Sequence, residues 1–406
     1  MSARRAAIQM LAITFFLDVS MAQIVKRTWA GWHVFMPASN PRAPSPIYHH
    51  GLRPMMDVTH QEWGRRYRFA TNSLGMVDAS PRVIDPKDDR CRILFIGDSM
   101  TEGYGVGWDK SYAGILSKRW KDQGIEVLNA AVAGSSPSIY YRKVRHLIED
   151  AGLRFNALFV AIDISDIRDE WMNYDLDERE SVVQISTEFP AMTMRAPTTM
   201  DRIVYTVIDN SVTARLTYRA LVQAGLWPSY QTKDAPEAPP IDLRPHRPPL
   251  PLPLGALSID RIPNGGVDRL PGHFPLKYGY WTLDPNDWRD FGKDGLQVAA
   301  ERMDRLVLLL RRHNIRLTVT VHPWPTNLAA KDEDSLQVRF WREWARTRGA
   351  AFLELFSAFL RAGPDVIKSH YIEGDLHWNE RGNALTAEEI SRQFDPRSAC
   401  PALSKR

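Results

Sequence analysis

The chain has 406 residues, with 52 Lys and Arg against 48 Asp and Glu, a formal net charge of +4 and 44% hydrophobic residues. That is the composition of a globular protein long enough to bury a sizeable core. The basic excess is spread thinly, without the clustered face a nucleic-acid binder needs, so no nucleic-acid partner is expected. The 13 Trp and 13 Tyr suit both a core and a surface that stacks on sugars.

Taken in chain order, the basic start Met1–Arg5 leads into an apolar run over residues 6–25. This pattern predicts an export signal or a membrane anchor, with membrane association through residues 6–25 and an extracytoplasmic location. Ser20-Met21-Ala22 offers the small residues a signal peptidase reads, allowing cleavage after Ala22. Asp18 opposes a spanning helix, because a carboxylate at mid-membrane costs about 2.5–3.5 kcal/mol on insertion scales. An amphipathic or buried soluble helix, in a cytoplasmic chain, is the competing reading. Residues 26–88 read as an N-terminal extension, Pro-rich and irregular over 30–80, packed on a later domain. Within it, His49-His50 lacks the carboxylates that would make a metal site, and no metal or cofactor is expected.

Residues 92–97 form a short apolar run ending in Gly97, as a buried parallel strand does. Helical periodicity follows over 111–122, a strand over 125–129, a helix over 137–151 and a strand over 157–163. This alternation implies a parallel sheet with helices on both faces, a flavodoxin-like three-layer α/β/α sandwich. The main domain spans 89–395, interrupted at about 175–290 by an insertion. The insertion contains the Pro-dense stretch 234–254, which can be neither a regular helix nor a central strand. The rhythm resumes with a helix near 291–313, a strand at 315–321, a helix near 334–348, a short strand near 351–355 and a final helix after Asn379. A tail over 396–406 closes the chain. Cys91 and Cys400 form neither a CxxC pair nor a metal-ligand spacing. Cys91 opens an apolar strand, so a buried free thiol is expected, with a 91–400 disulfide as the other reading.

Two segments carry chemistry. Gly97-Asp98-Ser99 follows a buried strand, where α/β proteins place ligands. A serine there needs a base to become a nucleophile. Asp375-Leu376-His377-Trp378-Asn379 lies just before the last helix and offers an imidazole as base with a carboxylate to orient it. His370 is a rival base without that context. His322-Pro323-Trp324-Pro325 follows a strand on the same sheet edge. With Asp98, Asp166 and Trp378, His322 and Trp324 are candidates to line a substrate cleft. The alternative for this segment is a loop stiffened by two prolines with Trp324 packed inside. Asp169-Glu170 could pass for an acid/base pair, but neighbouring side chains on a helix diverge, and a solvated turn is expected.

These blocks resemble the SGNH/GDSL hydrolase superfamily over roughly residues 90–170 and 290–392. The resemblance implies Ser99 as nucleophile, His377 as base and Asp375 as its partner. It also implies an oxyanion hole from the Ser99 amide, the Gly134 amide and the side chain at position 165. The family's usual third block is Gly-x-Asn-Asp; here it is Asp163-Ile164-Ser165-Asp166, with Ser165 in the place of Asn and Asp166 matching the block's structural Asp. The Asp-x-His spacing resembles the subset with an Asp-x-His-x-Asn block. The implied activity is hydrolysis of an ester, carried by an acylated small molecule or carbohydrate, through an acyl-enzyme. O-acyl transfer on the same triad, or a non-catalytic carbohydrate-binding or assembly role, are the alternatives.

Overall fold

The computed structural model describes residues 13–24, 41–62, 65–185, 203, 206–208, 210–223 and 279–400. The Pro-dense run 234–254 and the last residues of the expected tail, 401–406, lie outside the described residues.

The centre is an eight-stranded sheet. Five of its strands are parallel: β6 (Cys91–Gly97), β7 (Ile125–Asn129), β8 (Ala157–Ile162), β11 (Arg316–Val321) and β12 (Ala351–Glu354). Their spatial order is β12-β11-β8-β6-β7. Every residue of β6 and β8 is buried, which is why these strands read as unbroken apolar runs. Arg92 is the polar exception in β6, and it donates to Glu126 Oε2 at 2.7 Å and to the Asp85 carbonyl at 2.8 Å. Helices α2 (Tyr112–Lys121) and α8 (Glu380–Gln393) pack on each other, α3 (Pro137–Arg145) and α4 (Asp166–Met172) pack on α6 (Lys293–Arg312), and α7 (Leu336–Arg348) packs beside β12. Sheet and helices make the expected mixed α/β sandwich with a mostly parallel sheet. Its order places the switch point at β6, where one neighbour is β7 and the other β8, so the crevice opens at the carboxyl ends of these strands.

Two expectations are corrected. The stretch 30–80 is not irregular where it is described: β3 (Asp57–Glu62), β4 (Arg65–Thr71) and β5 (Val77–Asp78) join the sheet antiparallel, β5 pairing with β7 through Val77 and Asn129. Before them, β1 (Arg42–Ser45) and β2 (His49–Leu52) form a separate hairpin. Nor is Cys91 a free thiol. It is disulfide-bonded to Cys400, with the two Cα atoms 5.9 Å apart and 309 positions between them in sequence. The bridge ties the first residue of the central strand to the turn that follows α8.

Between α4 and α6 lie a short hairpin, β9 (Tyr174–Leu176) with β10 (Val182–Gln184), and a helix, α5 (Val212–Gln223).

Candidate active site

β6 delivers the nucleophile turn. Gly97 is required there: a Cβ would stand 2.4 Å from Thr101 Oγ1 and 2.9 Å from the Ala161 carbonyl of the neighbouring strand. The chain then turns directly into α1 (Ser99–Glu102). The turn is held from below by Asn129, whose Nδ2 donates to the Thr101 carbonyl at 2.7 Å, and by Tyr112, whose hydroxyl donates to Thr101 Oγ1 at 2.8 Å.

The second segment reaches Ser99 from the far end of the chain. Asn379 caps α8 by accepting from the amides of Arg381 and Gly382, and its Nδ2 donates back to the carbonyls of Ser369 and Tyr371. Gly382 must lack a side chain, since a Cβ would stand 2.3 Å from the His370 carbonyl. Trp378 is buried, stacked on Phe359 at 5.3 Å between ring centres. Between these anchors His377 is fixed: its Nε2 lies 2.7 Å from Ser99 Oγ, and its Nδ1 is hydrogen-bonded to Asp375 Oδ1. The His377 amide also donates to that oxygen, at 2.8 Å. Ser99 and His377 are each 9% exposed. His370, the rival, instead meets Ser369 Oγ at 2.9 Å.

The expected oxyanion donors are occupied. The Gly134 amide donates to Asp98 Oδ1, as does Ser135 at 3.2 Å, and the Ser99 amide also faces this carboxyl. Ser165 spends both amide (2.8 Å) and hydroxyl (2.7 Å) on Asp163 Oδ1. The reason is the carboxylate at 163 where the resembled block has Gly. Once buried, Asp163 must be surrounded by donors, and Ser165 is the nearest.

Asp163 also accepts from His322 Nε2 at 2.8 Å and from Trp324 Nε1 at 3.1 Å. Burial works against the Asp163 anion. The hydrogen bond and charge of His322, with the Ser165 donors, outweigh it and hold the carboxyl at about 2. Asp98 and Asp166 go the other way. Burial, then the charge of Asp163, pushes both well above the usual carboxylate range. Asp166 Oδ2 accepts from the Tyr140 hydroxyl at 2.8 Å and from the Asp163 amide at 3.0 Å. Asp98, Asp163 and Asp166 bring one oxygen each within 4.8 Å of one another, near enough to share a cation. Each of the three accepts from protein donors, while Asp166 Oδ1 is buried with no hydrogen-bond partner.

The residues expected to line a cleft are therefore corrected to an internal network. Asp98, Asp166, His322, Trp324 and Trp378 are all buried. Trp324 is packed inside, with a short helix, Pro325–Ala329, starting behind it. The Asp169-Glu170 turn is corrected too. Glu170 is fully buried in α4 and accepts from Ser136 Oγ at 2.7 Å and the Ser138 amide at 2.9 Å.

Sequence reading missed the outer brace of the site. Glu102, the last residue of α1, accepts a bidentate pair of bonds from Arg42 of β1 at 2.5 and 2.8 Å, and from the Ala133 amide at 2.6 Å. His50 Nε2 lies 3.1 Å from the Ala133 carbonyl, and the Tyr174 hydroxyl donates to the Gly134 carbonyl at 2.9 Å. His49 and His50 thus brace a loop: their Nδ1 atoms lie 2.8 Å apart, and His49 Nε2 meets Gln184. Half-buried Tyr104, 5.3 Å from the His377 ring, is the aromatic beside the triad. Glu102 had a local signal, three residues after Ser99; Arg42, 60 positions away, had none.

Solved structures similar to this chain include members of the lipolytic G-D-S-L family and other esterases. A member of the lipolytic G-D-S-L family from Veillonella parvula is 10% identical, covering 75% of this chain and 98% of its own, with a TM-score of 0.35. An acetyl-xylooligosaccharide esterase from Geobacillus, in a mutant form, is 12% identical over 76% and 96%, with a TM-score of 0.36. A psychrotrophic esterase from Pseudoalteromonas is 9% identical over 74% and 95%, with a TM-score of 0.34. No protein-family model and no curated protein matches the chain.

Proposed function

We propose that the chain is an SGNH-type serine ester hydrolase in which Ser99 is the nucleophile, His377 the general base and Asp375 its orienting carboxylate. The observation that carries this reading is the 2.7 Å contact of Ser99 Oγ with His377 Nε2, with the opposite ring nitrogen held by Asp375. Nucleophile, base and orienting group stand in the order acyl transfer requires.

Ser99 Oγ attacks the ester carbonyl while His377 Nε2 takes its proton. The tetrahedral adduct collapses, the C–O bond to the alcohol breaks, and His377 returns the proton to that leaving oxygen. Water then repeats the sequence on the acyl-enzyme, giving free acid and regenerated serine. The developing oxyanion needs donors aimed at it. The amides of Ser99 and Gly134 supply them when Asp98 yields. A protonated Asp98 is a weaker acceptor than an alkoxide, so the oxyanion wins the competition. Ser165 contributes less than an Asn would, being turned to Asp163.

The substrate class proposed is an O-acyl ester of an envelope carbohydrate, met outside the cytoplasm. The Cys91–Cys400 bridge supports that location, because structural disulfides persist in oxidising compartments. O-acyl transfer is the second reading, and the near burial of Ser99 favours it by limiting water. Turnover of an activated acetyl ester, beside Ser99→Ala, tests the assignment. Loss of at least ~10³-fold in the variant is expected. Equal, background-level rates in both proteins would sink the hydrolase, and acyl-ester formation on an added sugar would then decide for the transferase. A reporter active only outside the cytoplasm, fused after residues 1–40, tests location; a silent reporter would exclude export.

A further inference from the structure

The helix over residues 13–24 is inside out for a water-soluble protein. Ile13, Leu17 and Met21 recur every fourth residue and, with Phe16, form one stripe. Phe16 is 71% exposed, Leu17 60% and Met21 51%. Asp18 is the helix's one charged residue over this span, and it points the other way. Its Oδ1 accepts from the amide and the hydroxyl of Thr213, each at 2.9 Å, so it caps the start of α5 across the helix pair. Gln23 Nε2 adds a bond to Asn210 Oδ1 at 2.9 Å, and Ala22 is buried. The second helical stretch also exposes apolar side chains, Val207 at 53% and Leu216 at 60%.

A soluble helix buries its apolar stripe and shows charge to water. Here the charged group is spent on the start of the neighbouring helix and the large apolar side chains face out, the arrangement found where the surroundings are hydrocarbon. The flanking sequence is basic on both sides, Arg4-Arg5 before the helix and Lys26-Arg27 after it. Such charges complement anionic headgroups, at about 1 kcal/mol for each residue near the surface. The twelve described residues of this helix rise about 18 Å, against a hydrocarbon core of ~30 Å. No helix among the described residues is long and apolar enough to cross a membrane.

We infer that residues 13–24 and α5, with the helical residues 206–208 before it, form a lipid-binding face, which seats in one leaflet of an anionic bilayer and holds the enzyme at the membrane surface. The inference is independent of the hydrolase reading. It makes Asp18 a clasp between the helices, and it requires residues 13–24 to stay on the mature chain.

The test is flotation of the full-length chain with vesicles of phosphatidylethanolamine and phosphatidylglycerol. Wild type should float, and Phe16→Asp/Leu17→Asp should lose at least about tenfold of its bound fraction, given the cost of carboxylates in hydrocarbon. Both positions are exposed, so circular dichroism should be unchanged. Ser99→Ala should float like wild type, which keeps this result separate from catalysis. Three results would overturn the proposal. One is wild type staying in the dense fraction. Another is a soluble dimer that the double variant splits, which would mean a second copy covers the face. The third is an intact mass from producing cells that begins after Ala22.

Discussion

At the scale of single residues, the site is governed by where burial leaves protons. Asp98 sits one position before the nucleophile and accepts from the Gly134 and Ser135 amides. Its carboxyl is raised, by burial and then by the charges of Asp163 and Asp169. As pH climbs through that raised value, Asp98 becomes an anion that grips those amides and competes with the developing oxyanion. Ester turnover should therefore decline on the alkaline side, and Asp98→Asn, which cannot ionise, should flatten that limb of the kcat/KM profile. An unchanged limb in the variant would remove Asp98 from the mechanism. Asp169 gives a separate signature in stability. Burial, opposed by Arg168 and the Asn173 hydrogen bond, lifts it from 3.8 to about 7. Between these values the folded protein holds a proton the unfolded chain has lost, so stability falls as pH rises from about 4 to about 7 and levels off above. Melting temperatures measured across that range should show the fall, and Asp169→Asn should reduce it.

At the scale of elements, the catalytic histidine depends on how α8 begins. Gly382 lets the helix start against the His370 carbonyl, where a Cβ would stand 2.3 Å away. Gly382→Ala should cost about 1–3 kcal/mol in a denaturant melt, in the range of overpacked sites. It should also lower kcat, by moving His377 off Ser99. Full activity at unchanged stability would show that the segment has slack. This start was legible in sequence, because Asn-x-x-Gly is local turn and cap chemistry. So were the five parallel strands and their helices, because strands buried on both faces leave unbroken apolar runs. The antiparallel strands were not. Asp57–Glu62 and Arg65–Thr71 carry polar and charged residues at most positions, so nothing in their periodicity separates them from loop. The brace and the acidic network escaped for a different reason. Arg42 with Glu102, and Asp163 with His322 (159 positions apart), pair over distances that local spacing does not encode. What Ser165 does is set by the carboxylate at 163, which position 165 read alone does not reveal.

At the scale of the whole molecule, two long-range ties join the ends of the chain to the catalytic layer. One is the Arg42–Glu102 pair, nearly buried on both sides, which fastens the N-terminal hairpin to the nucleophile helix and, through the Ala133 amide, to the loop that carries Gly134. Glu102→Gln should leave the Arg42 charge buried and weakly paired, a loss of up to about 3–5 kcal/mol. Because the same carboxylate orients the loop, KM and kcat should shift as well. The other tie is Cys91–Cys400. It closes a loop of about 300 residues, so in the chain-entropy view it removes a large ensemble of unfolded conformations, up to about 5 kcal/mol. Both cysteines are buried and far from Ser99 in the fold: Cys91 opens the strand that Ser99 follows. Reduction, or Cys91→Ser/Cys400→Ser, should therefore lower the unfolding midpoint strongly while leaving esterase kcat at low temperature near that of wild type. If the midpoint does not move under reductant, the bridge contributes nothing to holding the sheet. The support it lends to an oxidising compartment would then be lost with it.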